Sequence, residues 1–346
     1  MADPQRFDTV LKAIATVALV AIIGIGGWFG YTVYRDKLIA EDATPALRIM
    51  KVIKAQVSKN PNDAVLRVRL GEAYGAAGQP QKAIEQFNAA LKIDPKHTGA
   101  YTDLGILAMS QKRPDEARNY FKKVIELTET DTMSKTSDRR ETAYYNLGLL
   151  EMSEKNYDTA IGYFKDALRI KNDASDTYYY LAEALVAVDQ PDDALNNLAI
   201  ALKFDPNFAQ AHYAMAKLYL ARDDKASAAV HVGKAMAISP NAPEPKALAA
   251  KIGDPATYLK TAQSKVSSDP EGALEAATIA YGLDNSDLVA GKLEGKLLMK
   301  LGQNKQALEL YTELAKVAPK DAEIKSALKT LNHGKKSSAT TTTSNG

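Results

Sequence analysis

One pattern recurs along this 346-residue chain at an interval of 34 residues, and that interval limits what it can fold into. Within 64–97, Leu66, Leu70 and Tyr74 fall on one helical face, Gly71 is a small site beside them, and Gly78-Gln79-Pro80 breaks the periodicity. After the break Ala83, Phe87 and Ala90 share a second face until Pro95, which cannot continue a helix. Leu70-Gly71 returns as Leu104-Gly105, Leu147-Gly148, Leu181-Ala182 and Met215-Ala216. Ala83 returns as Ala117, Ala160, Ala194, Ala228, Ala273 and Ala307, and Phe87 as Phe121, Phe164, Leu198, Val232, Ala277 and Tyr311. A helical hairpin cannot bury its apolar face alone, but a stack of hairpins buries a continuous core between neighbours.

Tyr144-Tyr145-Asn146-Leu147-Gly148 followed by Tyr157-Asp158-Thr159-Ala160 resembles the consensus of the tetratricopeptide repeat (TPR) family. Units fall at 64–97, 98–131, 141–174, 175–208, 209–242, 254–287 and 288–321, although the unit at 254–287 has Lys260-Thr261 where Leu-Gly is expected. The resemblance implies an all-α TPR solenoid, a right-handed superhelix of hairpins with the first helices lining a concave face. It also implies a binding protein and not an enzyme, because a stack lacks the central cavity in which an enzyme site normally sits.

Ahead of the repeats, 13–33 runs 21 residues without a charge. As a helix it would be about 32 Å long, enough to cross a hydrocarbon core of about 30 Å. Trp28, Tyr31 and Tyr34 gather at its far end, where amphipathic rings suit headgroups. The run is longer than a signal peptide's apolar stretch and lacks an A-x-A-like site, so an uncleaved single transmembrane anchor is expected. Gly26 and Gly30 form a G-x-x-x-G pair, which is common in membrane helices whether or not they associate. Basic residues flank the run on both sides, so the positive-inside rule gives no orientation. A short leading tail (1–12) before a large domain favours an extracytoplasmic TPR domain.

The remaining segments follow in order. The stretch 34–63 reads as a charged connector and a capping helix, and 64–131 holds the first two units. An insertion at 132–140, rich in Ser, Thr and charge, is expected as a loop, with a helix extension as the alternative. Units three to five occupy 141–242. The stretch 243–321 holds an irregular region around Pro243 and Pro245 and then the final units. A closing helix is expected at 322–333, and a disordered Ser/Thr-rich tail at 334–346.

A net charge of +2 with 25% charged residues gives no bulk attraction to nucleic acid, and the absence of cysteine excludes disulfides and thiolate metal sites. No phosphate-binding glycine loop, H-E-x-x-H or nucleophile elbow occurs, so no catalytic, cofactor or metal site is expected. His212 and His231 share one unit on opposite helices, and ordinary polar positions explain them better than a metal pair.

The TPR resemblance places the fifth residue of each first helix in the groove: Val68, Thr102, Tyr145, Tyr179 and Tyr213. Three tyrosines therefore recur in adjacent units, with Asn146 and Tyr180 beside them and Glu183 and Lys217 one turn on. Tyrosine joins apolar area to a hydroxyl and loses little rotamer entropy, which suits a peptide-binding face. The same residue is also common in TPR packing. Val68, Glu72, Tyr180 and Ala214 stand where the chaperone-type carboxylate clamp of the family needs Lys, Asn or Arg, so that clamp is absent. The expected function is a membrane-anchored scaffold binding protein or extended peptide segments, in assembly of a membrane or envelope complex. The alternatives are a self-assembling TPR protein, which would be a homo-oligomer, and an accessory subunit of an enzyme or translocation complex.

Overall fold

A computed structural model describes the backbone of residues 45–129 and 134–340, and the side chains of 48–129 and 138–333. The transmembrane anchor expected at 13–33, with its tail and charged connector, lies outside the described residues. Among those described, no helix is long and apolar enough to cross a membrane. The chain divides into two compact units, 1–146 and 147–346, and every described element is an α-helix or a turn.

The first unit begins with α1 (Pro45–Lys59), followed by the hairpins α2 (Ala64–Ala76)/α3 (Pro80–Ile93) and α4 (Thr98–Ser110)/α5 (Pro114–Thr128). Proline stands in the first turn of α3 and α5, where its missing N–H costs nothing and its φ is already helical. At the start of α2 the Asp63 carboxylate accepts the Leu66 N–H at 3.0 Å. The turn after α2 closes with two backbone bonds, Gly78 N–H to the Gly75 carbonyl and Gln79 N–H to that of Tyr74. Gly78 takes φ +68°, the left-handed end that lets a helix stop this way.

Each hairpin is closed by a ring seated on a glycine. A Cβ on Gly71 would lie 2.5 Å from Phe87, and one on Gly105 would lie 2.6 Å from Phe121. Both rings are buried, and burying one contributes about 1.5–3 kcal/mol. Val57, Met50 and Ile53 of α1 pack against the first hairpin's core, so the opening helix covers a face that would otherwise meet water.

The insertion expected as a loop at 132–140 is instead helical from Ser134, as the first turns of α6 (Ser134–Ser153). Arg140 explains the advantage. Its Nη1 donates to the carbonyls of Thr128 (2.8 Å) and Glu129 (3.2 Å), the unpaired acceptors at the end of α5.

In the second unit the hairpins are formed by the end of α6 with α7 (Tyr157–Ile170), by α8 (Ser175–Ala187)/α9 (Pro191–Phe204), and by α10 (Ala209–Ala221)/α11 (Lys225–Ile238). Where the glycine is replaced by Ala182 or Ala216, the facing ring is replaced by Leu198 or Val232, and all four are buried. A short extra helix α12 (Pro243–Ile252) then ends at Gly253, with φ +139°. Next come α13 (Pro255–Lys265)/α14 (Pro270–Leu283) and α15 (Leu288–Lys300)/α16 (Asn304–Val317). Here the stack departs from its rule, because α11 crosses α14 directly, second helix on second helix. A Cβ on Gly233 would lie 1.8 Å from the Gly282 carbonyl oxygen, so only glycine permits this crossing.

The closing helix α17 (Ala322–Thr340) packs Ile324, Ala327 and Leu331 on Tyr311 and Leu314. Asp321 starts it, accepting the N–H groups of Glu323 (2.9 Å) and Ile324 (3.1 Å) and an ion pair from Lys292 (3.1 Å). The helix continues through 334–340, where a disordered tail was expected. Adding residues to a nucleated helix is far cheaper than starting one, which is why weak formers can follow a packed segment. Residues 341–346 lie outside the described residues.

Candidate functional site

Of the seven residues expected in the groove, five lie in the second unit, where they form two linked sets of contacts. From α10, Lys217 places its Nζ 5.2 Å above the Tyr213 ring and 4.0 Å from Glu183 on α8. One turn before Glu183, the Tyr179 ring lies 5.1 Å from Tyr180 and 5.2 Å from Phe208, which precedes α10. Two successive first helices thus share an aromatic patch with one positive and one negative end. The ion pair is partly exposed and at the outer limit of contact, so it contributes about 0–1 kcal/mol and serves mainly to orient the two side chains. Burial, with Glu183 and Tyr180 adding to it, pushes the Tyr179 phenol up to about 12. It is therefore a neutral hydroxyl throughout the physiological range.

The predicted residues differ in what they pack against. Tyr180 stacks on Phe164 at 6.2 Å with rings 20° apart, so its ring serves the hairpin core as well as Tyr179. Tyr145 and Asn146 lie half-buried at the end of the first unit, where the Asn146 amide donates to the Thr142 carbonyl at 2.7 Å. Val68 and Thr102, the matching positions of the first two hairpins, are 6% and 7% exposed and act as packing residues. Beside them burial, reinforced by Glu72 and opposed by Arg139, pushes the Asp103 carboxyl up to about 7.

Phe208 was missed. The residues one repeat away on either side are Ala174 and Ala242, so an aromatic side chain at this point was the available signal.

Two further clusters lie elsewhere in this unit. His212 Nδ1 and His231 Nδ1 are 2.9 Å apart, and His212 Nε2 is 3.2 Å from the Pro206 carbonyl. A carbonyl only accepts, so His212 Nε2 carries the proton, His212 Nδ1 accepts, and His231 Nδ1 donates. Burial first, then the neighbouring His212 and Lys234, lowers His231 to about 4, so the pair is neutral at pH 7. Two imidazoles fall short of a structural metal site, and no cluster of three metal-ligating side chains exists among the described residues. Further along, Val230, Leu274, Leu298, Thr278, Glu309 and Glu294 help to line a cavity of about 860 Å³. Burial pushes Glu294 up to about 7, partly opposed by its 3.0 Å bond from Thr278 Oγ1.

Stacked helical hairpins with a side-chain patch on consecutive first helices define the fold of a protein-interaction scaffold. Models of the tetratricopeptide repeat match residues 64–97, 98–173 and 151–218. No curated protein sequence matches the chain. Among solved structures it is similar to PilF of Pseudomonas aeruginosa, at 20% identity and a TM-score of 0.51, over 67% of this chain and 96% of that one. The Cut9–Hcn1 hetero-tetramer of APC/C is similar at 20% identity and a TM-score of 0.50, over 59% of this chain and 39% of that one. YrrB, described as a TPR protein with an unusual peptide-binding site, gives 18% identity and a TM-score of 0.45 over 56% of this chain and 95% of its own. At such identities the likeness is one of fold.

Proposed function

We propose that this protein is a membrane-anchored TPR scaffold that holds an extended segment of a partner protein against Tyr179, Tyr213, Glu183 and Lys217. The carrying observation is the patch shared by α8 and α10: half-buried rings with a carboxylate and an ammonium within 4.0 Å of each other. Rings of this kind anchor a chain through apolar area and hydroxyl groups, while the charged ends set its direction. The protein acts by binding and not by catalysis, in assembly of a membrane or envelope complex. The uncharged run at 13–33 confines it to a bilayer, which raises the effective concentration of groove and partner on one surface, here the extracytoplasmic one.

Extraction and capture test this reading together. Full-length protein stays with membranes through a carbonate wash and leaves them in detergent, and protease added outside spheroplasts digests the hairpins. Affinity capture from the detergent extract returns a heterologous protein in stoichiometric amount. Release by carbonate would remove the anchor from the account, and recovery of the bait alone would favour self-assembly.

A further inference from the structure

The histidine pair forms one wall of a cavity of about 520 Å³, whose other lining includes Lys203, Lys234, Asn207 and Asn285. No carboxylate lines it, and neither lysine has an ion-pair partner among the described residues. The Lys203 ammonium lies 5.9 Å over the Phe204 ring, and both lysines are exposed. The floor is apolar, with Leu202, Met215 and Ile238. The cavity thus sets a cationic rim over an apolar floor, with Asp205 and Asp224 the nearby carboxylates outside its lining.

We propose that this cavity is a second binding site, distinct from the tyrosine groove, that takes an acidic segment of a partner protein with its side-chain carboxylates between Lys203, Lys234 and the His212–His231 pair. Several features favour a peptide over a free anion. The volume is far larger than a small oxyanion fills, the floor offers apolar contact that such an ion cannot use, and Asn207 and Asn285 can each meet a peptide group. The lysines supply long-range attraction and discriminate against neutral or basic segments.

The histidines add a proton linkage. The charged groups facing the pair are Lys203 from α9, Asp205 from the turn before α10, and Asp224 and Lys234 at the start of and along α11, with the Tyr219 ring stacked 5.5 Å from His231. Neutral His231 keeps its bare acceptor at Nε2, because Nδ1 already donates to His212. A bound carboxylate favours the protonated form, so binding takes up a proton and tightens as the pH falls.

The test uses full-length protein in detergent and a fluorescein-labelled decapeptide built only from Glu, Ala and Leu. Its control is the same peptide with Gln in place of every Glu. The acidic peptide binds and the Gln peptide does not. Lys203→Gln and Lys234→Gln, both at exposed positions, each weaken it about fivefold to tenfold. Affinity rises as the pH is lowered from about 6.5, the ordinary imidazole value, to about 5, on the approach to the value of about 4 at which burial holds His231 in the empty site. Tyr179→Ala leaves this affinity unchanged, which separates failure of this site from failure of the tyrosine groove. Equal binding of the Gln peptide, unchanged affinity in both lysine variants, pH-independent binding, or displacement by excess inorganic phosphate would each overturn the proposal.

Discussion

Gly148 and Phe164 meet so closely that a methyl group on the glycine would lie 2.5 Å from the ring. Phe164 is fully buried and has no room to withdraw. Gly148→Ala therefore overpacks the hairpin, costing about 1–3 kcal/mol, and the better helix propensity of alanine returns at most about 1 kcal/mol. Adding Phe164→Leu restores most of the loss, because this chain already combines Ala182 with Leu198 at the equivalent positions. Urea unfolding of the single and double variants checks this. If the double variant is weaker than Gly148→Ala alone, the size-matching rule fails.

Gly233→Ala should be worse than Gly148→Ala. Its new carbon would meet the Gly282 backbone oxygen at 1.8 Å, and a backbone cannot rotate away as a ring can. Gly162→Ala is the control, since nothing lies within 4 Å of its Cβ position and it sits on an exposed helix face. That change raises the melting temperature slightly, by about 0.5–1 kcal/mol of helix propensity. Equal melting of the Gly233 and Gly162 variants would contradict the direct crossing of α11 and α14.

Glu294 gives the second unit a pH dependence of definite sign. In the unfolded chain its carboxyl titrates near about 4.3. In the folded protein burial holds it at about 7. Between those values the folded form keeps a proton that the unfolded form releases, so this residue's contribution to stability declines as the pH rises through that window. Glu294→Gln removes the dependence. Its melting temperature exceeds that of the unaltered protein at about pH 8 and approaches it at about pH 4.5, near the unfolded value. An advantage that is the same at both pH values would show that burial of the charge is not the cause.

Ile324 is 1% exposed against Leu314 and Tyr311, so Ile324→Ala should cost about 2–5 kcal/mol and promote association by uncovering the last hairpin. Removing 341–346 should leave thermal melting unchanged. If the two changes behave alike, α17 is not the cap.

The repeating units were legible because their physics is local. Proline in the first turn of α3, α5 and α9 marks where second helices begin, and the small residue facing Phe87, Phe121 or Phe164 recurs at a constant offset. The turns were only half legible. Gly78 and Gly302 advertise their left-handed conformation, whereas Lys112, Lys155, Asp189 and Asp223 adopt it with φ of 56–64° under pressure from the hairpin. Nothing in those residue types shows it. The crossing at Gly233 and Gly282 joins helices separated by an irregular stretch, and period alone does not say which helices touch across one. In the candidate site, Tyr179, Glu183, Tyr213 and Lys217 were singled out by the resemblance to tetratricopeptide repeats, which marks a groove position on each first helix. Phe208 sits outside the helices and so outside any periodicity. The 2.9 Å contact of His212 with His231 needed the facing register of α10 and α11.

The central claim is that the Tyr179 patch binds a partner and is not simply part of the core. Tyr179 touches Tyr180 and Phe208, so its loss removes ring contacts of about 0.5–1.5 kcal/mol from the fold. An interface anchor of this type is expected to cost about 2 kcal/mol or more in binding, roughly thirtyfold in affinity. Ala194→Leu supplies the contrast, because it forces a larger side chain into a fully buried helix contact. The decisive measurement is the affinity of the captured partner for Tyr179→Ala, taken with thermal melting of both variants. The account predicts a thirtyfold weakening for Tyr179→Ala with a melting loss smaller than that of Ala194→Leu. Unfolding as severe as that of Ala194→Leu, or unchanged partner affinity in a folded Tyr179→Ala protein, would contradict it.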